Sequence, residues 1–86
     1  MQQFVLIVLR SRTQAFNLKK ELSQCNIPCE IISTPKEIAV GCGFSVKIDI
    51  CYCEKAKQIC GVVAEQSLVG FYKIAFDGYK NTIISL

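Results

Sequence analysis

Phe4-Val5-Leu6-Ile7-Val8-Leu9 is apolar at every position and rich in branched side chains. A strand with no polar face leaves nothing for water to solvate, so this run reads as a central strand covered on both sides. Six apolar residues before Arg10 are too few for a membrane span, and Met1-Gln2-Gln3 lacks the basic start of a signal peptide. No membrane partner and no export are therefore expected. The six cysteines are expected to be reduced thiols of a cytoplasmic protein, not a disulfide framework.

Beyond this strand, Ser11 offers an N-cap with Gln14 three residues later, a capping-box pattern. Ala15, Leu18, Leu22 and Cys25 recur at spacings of three and four, which predicts an amphipathic helix from about Arg12 to Cys25 with Lys19, Lys20 and Glu21 on its wet side. Pro28 cannot continue it, and Cys29 to Ser33 supplies a second strand. Phe44 to Ile50 alternates apolar and polar residues, the period-two pattern of a strand with one buried face. A second helix is expected from about Tyr52 to Gln66, with Ala56, Ile59, Cys60 and Val63 as its core stripe. Gly61 weakens it, which close packing on the sheet would explain. Phe71 to Phe76 forms a fourth strand, Asp77-Gly78 a turn, and Thr82 to Leu86 a short fifth strand or a docking tail.

Strand, helix, strand, strand, helix, strand, with short connections and right-handed crossovers, predicts a split β-α-β packing. Residues 1–86 are expected to form a single ferredoxin-like α+β domain, a four-stranded antiparallel sheet with both helices on one face, because a chain this short holds one core. Phe4, Leu6 and Val8 point to one side of the first strand and Val5, Ile7 and Leu9 to the other, so one set should emerge on the uncovered sheet face. With 51% hydrophobic residues and a mean hydropathy of +0.34, that face is a candidate for homodimerisation. A net charge of +3 is too small and dispersed for a nucleic-acid footprint.

Thr34-Pro35-Lys36-Glu37-Ile38-Ala39-Val40-Gly41-Cys42-Gly43 joins the second and third strands and is the one stretch that reads as a site. Glycine on both sides of Cys42 permits a tight bend with the sulfur and neighbouring amides accessible, and backbone N–H donors favour the thiolate. An ordinary turn with an incidental cysteine is the plainer reading.

Among the other cysteines, Cys25 and Cys60 lie on helical core stripes and read as small hydrophobes. Cys51 and Cys53 form a Cys-X-Cys pair near a helix start, where the helix N-terminus lowers a thiol pKa. The cysteine intervals do not match paired zinc knuckles, and the chain has no histidine, so no metal and no cofactor is expected. Without histidine there is no Cys-His or Ser-His nucleophile pair, and no GxGxxG or Walker-type loop is present. Conventional hydrolase or nucleotide-dependent chemistry is therefore not expected.

At the loop the chain resembles the small bacterial selenium/sulfur carrier-like family. Asn26-Ile27-Pro28 matches the family's turn after the first helix, and Pro35-Lys36-Glu37-Ile38 followed by Cys42-Gly43-Phe44 matches its most recognisable segment. The resemblance spans about the first 76 residues. Lys36 stands where arginine is frequent, and the cysteines at 51 and 53 and the tail after Asp77 are outside the pattern. The resemblance implies a sulfur/selenium carrier that holds a persulfide or selenosulfide on Cys42, with a cysteine desulfurase-like donor and a small sulfur-relay or selenium-utilising acceptor as partners. Lys36 would then supply positive charge, Glu37 orient it or touch a partner, and Gly41 and Gly43 let the backbone approach the sulfur. Two other readings stay open: a non-catalytic ligand-sensing or interaction module that dimerises through the uncovered sheet face, and a metal or redox protein built on Cys51, Cys53 and Cys29.

Overall fold

Strand β1 (Gln2–Leu9) is the middle of a five-stranded antiparallel sheet of order β2-β3-β1-β4-β5, as its unbroken apolar run requires. The other elements are helix α1 (Arg12–Gln24), β2 (Cys29–Ser33), β3 (Phe44–Asp49), α2 (Cys53–Val63), β4 (Leu68–Phe76) and β5 (Asn81–Ser85). This computed structural model describes residues 2–35, 38, 43–63, 68–76, 78 and 81–86. The α+β fold is the expected ferredoxin-like one, with the C-terminal segment paired as a fifth strand on β4.

Both helices pack on one sheet face. Val5, Ile7 and Leu9 of β1 and Val46 and Ile48 of β3 meet Ala15, Leu18 and Leu22 of α1 and Ala56 and Cys60 of α2 in the main core. Each large aliphatic side chain removed from water there contributes about 1.5–3 kcal/mol. Phe4, Leu6 and Val8 point to the opposite face, but this face is not bare at its centre. Leu6 and Val8 are each 1% exposed and Ile74 3%, with Phe4, Ile32, Ile38, Tyr72 and Ile83 packed against them. The exposed large apolar side chains among the described residues are Phe16, Val69, Phe76, Ile84 and Leu86.

Helix α1 begins at Ser11, whose hydroxyl accepts from the Gln14 amide at 3.3 Å. The return half of a capping box is not made, because Gln14 Oε1 is buried with no hydrogen-bond partner among the described residues. The helix ends before Pro28 through a Schellman motif. Asn26 takes a left-handed φ of +62°, its N–H donates to Ser23 O at 3.1 Å, and Ile27 N–H donates to Leu22 O at 2.9 Å. Asparagine tolerates this conformation better than most residues.

Two boundaries and one packing expectation differ from the sequence reading. α2 is preceded by a 3-10 turn at Ile50–Tyr52, capped by the Asp49 carboxylate accepting from Cys51 N at 3.0 Å. β4 begins at Leu68, because Gly70 is in the strand opposite Val8, and the register shift between Val8 and Leu9 leaves Val69 as the extra, exposed residue of a bulge. The expected tight packing at Gly61 is absent among the described residues: a Cβ built there meets none of their atoms within 4 Å. The end of the second helix near Gln66 lies outside the described residues.

Candidate functional site

The β2–β3 connection is held by a stem whose chemistry is visible at both ends. Thr34 N–H donates to the Gly43 carbonyl at 3.3 Å, and the Thr34 and Ser45 hydroxyls lie 2.8 Å apart. Ser45 is fully buried on β3, so this hydroxyl pair satisfies a polar group that would otherwise be costly to bury. Gly43 has φ +134°, a conformation that L side chains rarely adopt, and a Cβ there would sit 3.3 Å from both Leu9 O and Thr34 Oγ1. Glycine is thus required at 43 both by backbone conformation and by the closeness of β1. Further along, Ile38 N–H donates to Pro35 O at 3.0 Å, and Ile38 packs on the Leu6-Val8-Ile74 cluster. The connection is tied to the sheet by these contacts. Of the site residues read from the sequence, Gly43 is described, whereas Lys36, Glu37, Gly41 and Cys42 lie outside the described residues.

The remaining cysteines occupy distinct settings. Cys60 is wholly buried in the main core, and burial pushes its thiol pKa up to about 11. Cys29 donates through Sγ to Lys19 O at 3.7 Å, with Ser23 Oγ 3.8 Å away, tying β2 to α1. Cys51 is exposed, and here the structure corrects the sequence reading. Its thiol is hydrogen-bonded to the Asp49 carboxylate, which raises its pKa instead of lowering it, while the Cys51 backbone N–H and then its thiol hold Asp49 below the usual carboxylate range. A carboxylate two residues away outweighs the favourable end of a three-residue 3-10 turn, because an ionised neighbour opposes thiolate formation directly. Among the described residues no group of three or more cysteine, aspartate or glutamate side chains is placed to hold a metal ion.

A second feature lies at the far end of β2 and β3, about 15 Å from the stem if strand rise is taken at its usual value. It is an open cleft of about 890 Å³ lined by Phe4, Cys29, Glu30, Lys47, Asp49 and Cys51 among others. Its lysine is already engaged: Lys47 Nζ is 3.6 Å from Glu30 Oε1 and 4.6 Å from the centre of the Phe4 ring. An exposed ion pair of this kind contributes little to stability, about 0–1 kcal/mol.

At the stem end the helix-side neighbour is Arg12. Leu9 pairs with Phe44 across β1 and β3, and the Arg12 guanidinium carbon lies 5.8 Å from the Phe44 ring centre and 5.7 Å from that of Phe16. Sequence reading missed this pairing. The i, i+4 spacing of Arg12 and Phe16 was a signal for half of it, but contact with Phe44 depends on the β1–β3 register.

No helix among the described residues is long and apolar enough to cross a membrane. A search of curated proteins found no match. A family model does match, over residues 4–73, a span running from the central strand through both helices and into β4 and taking in the whole β2–β3 connection. The chain therefore belongs to the family described as "Putative Se/S carrier protein-like".

Proposed function

We propose that this protein carries sulfur or selenium on Cys42, as a persulfide or selenosulfide, between a cysteine desulfurase-like donor and a small relay or selenium-utilising acceptor in the cytoplasm. The observation that carries the reading is the family match over residues 4–73, which includes Cys42. The setting of the stem supports it. The described residues of the connection, Thr34 and Gly43 with Ser45 at its base and Ile38 on the sheet, are tied to the strands. The thiols of Cys60 and Cys51, with pKa values raised by burial and by Asp49, are poorer nucleophiles at neutral pH.

The chemistry is a sulfur exchange with no net oxidation. The Cys42 thiolate attacks the outer sulfur of a donor persulfide. The new Cys42 sulfur–sulfur bond forms as the donor's sulfur–sulfur bond breaks, and the donor leaves as a thiolate with the electron pair. Onward transfer repeats the exchange with an acceptor thiolate as nucleophile and Cys42 as leaving group. In this reading Lys36 offsets the charge of the attacking thiolate, Glu37 orients Lys36 or meets the partner, and Gly41 and Gly43 keep Cβ atoms away from the approaching sulfur.

Intact-mass analysis after incubation with a cysteine desulfurase and cysteine tests the proposal. One added sulfur atom is expected on the wild type and none beyond background on Cys42→Ser. No addition to the wild type, or equal addition to both, would refute it.

A further inference from the structure

Strand β5 is the outermost strand of the described sheet, so one of its edges has no neighbouring strand there. Which of its backbone groups face that edge follows from its ladder with β4. Leu86 N–H donates to Phe71 O at 2.9 Å, one step beyond the Tyr72–Ser85 pair and in the same register. Residues of an antiparallel strand turn their N–H and C=O groups alternately to one side and the other. Thr82, Ile84 and Leu86 therefore bond to β4, whereas Asn81, Ile83 and Ser85 turn their groups outward.

Folded proteins guard such an edge with charge, proline or a bulge. The opposite edge of this sheet is guarded: β2 starts directly after Pro28 and carries Glu30, which pairs with Lys47 of β3. β5 has none of these devices. Residues 81–86 include no charged residue and no proline, and the strand pairs with β4 without a register shift. Thr82-Ile83-Ile84 is instead a run of β-branched side chains suited to strand pairing. Ile84 is 45% exposed, while Ile83 packs on the second-face cluster of Leu6, Val8 and Ile74.

We propose that β5 is the self-pairing edge of a homodimer, in which two copies of this chain join their sheets antiparallel across a two-fold axis at Ile83. In that register Ile83 bonds to its own copy and Asn81 to Ser85, so each outward donor of the strand meets an outward acceptor. The charge pattern suits a second copy in particular. A two-fold axis sets residues opposite or near their own copies, where like charges repel, and β5 brings no charge to that meeting. On the second face the paired Ile83 side chains extend the Leu6-Val8-Ile74 cluster across the junction, and on the other face Ile84 meets Thr82 of the copy. The strand is short, 5 residues, which puts the interface at the low end of specific ones, below about 1,200 Å². Dimerisation is accordingly reversible, with a midpoint within roughly 10–1,000 µM. The inference uses no residue of the β2–β3 connection and stands whether or not Cys42 carries sulfur.

Sedimentation equilibrium of the full chain over that concentration range, with residue-resolved amide hydrogen exchange by NMR, tests the proposal. A monomer–dimer equilibrium is expected. Exchange of the Ile83 and Ser85 amides should slow about three-fold or more as the dimer fills, while the Ile84 and Leu86 amides, bonded to β4, stay protected at every concentration. Ser85→Pro removes an outward donor that the β4 ladder does not use, so it should leave the chain folded and weaken dimerisation about ten-fold or more. Ile84→Lys, at a position exposed in the single chain, should weaken it as well. The wild-type exchange pattern decides the matter even where a variant fails to fold. A chain that stays monomeric throughout the range, a dimer whose Ile83 and Ser85 amides gain no protection, or assembly that runs past the dimer would overturn the proposal.

Discussion

Gly43 concentrates the local physics of the connection in one residue. Its φ of +134° is a region left almost entirely to glycine, and a Cβ would press on the Leu9 carbonyl oxygen and Thr34 Oγ1, both at 3.3 Å. Gly43→Ala should therefore destabilise the protein by about 1–3 kcal/mol, read as a lower urea midpoint with an unchanged slope. An unchanged midpoint would mean that β1 and the stem yield to the added methyl. The glycine was legible in the sequence as a turn former beside Cys42, but its contacts were not. Leu9 is 34 positions from Gly43 along the chain and Thr34 is 9, so each meeting depends on strand register. The Asp49–Cys51 contact was within local reach, two residues apart, yet the helix-start argument pointed the Cys51 pKa the wrong way because it left out the neighbouring carboxylate.

At the scale of elements, period and punctuation located the sheet and helices well. β2 spans the residues that its composition predicts, Cys29–Ser33, and α1 starts at Arg12 behind the Ser11 cap. What composition could not show was where a pattern is interrupted by pairing. Gly70 reads as a connection in the chain but pairs with Val8 in the sheet, which lengthens β4 backwards to Leu68. Asn26 carried a helix-stop signal that attention to Pro28 obscured, since the Schellman bonds close before the proline is reached. Gly61 gives the sharpest test at this scale. It lies within α2, is exposed, and has no neighbour among the described residues within 4 Å of a built Cβ, so none of them requires a glycine there. Gly61→Ala should stabilise the protein by about 0.5–1 kcal/mol, since alanine loses less backbone entropy on entering a helix. A higher thermal midpoint would be the sign, and a lower one would show that α2 is not helical at that position in solution.

Over the whole molecule, the carrier reading sets one end of the sheet apart from the other. The stem, Arg12 and the start of α1 gather where β2 hands over to β3, while the cleft with its Lys47–Glu30 pair and Asp49–Cys51 contact lies at the opposite end. Helices cover one sheet face, and Ile38 packs with Leu6, Val8 and Ile74 on the other, so the β2–β3 connection covers part of the centre of the second face. The sequence made the two helices and the central strand legible, because they rest on local pattern. It left the second face looking open, because a side chain that folds back across a sheet leaves no periodic trace. The family match ends at residue 73, so β5, from Asn81 to Ser85, lies beyond the matched span. The central claim is that the Cys42 thiol is ionised and within reach of a partner at neutral pH. The pH dependence of its alkylation rate, resolved by peptide mapping with Cys60 as the internal buried reference, tests this most directly. The account predicts a Cys42 pKa below the ordinary value of about 8.5 and a rate far above that of Cys60; a Cys42 that titrates as high as Cys60, at about 11, and reacts as slowly would contradict it.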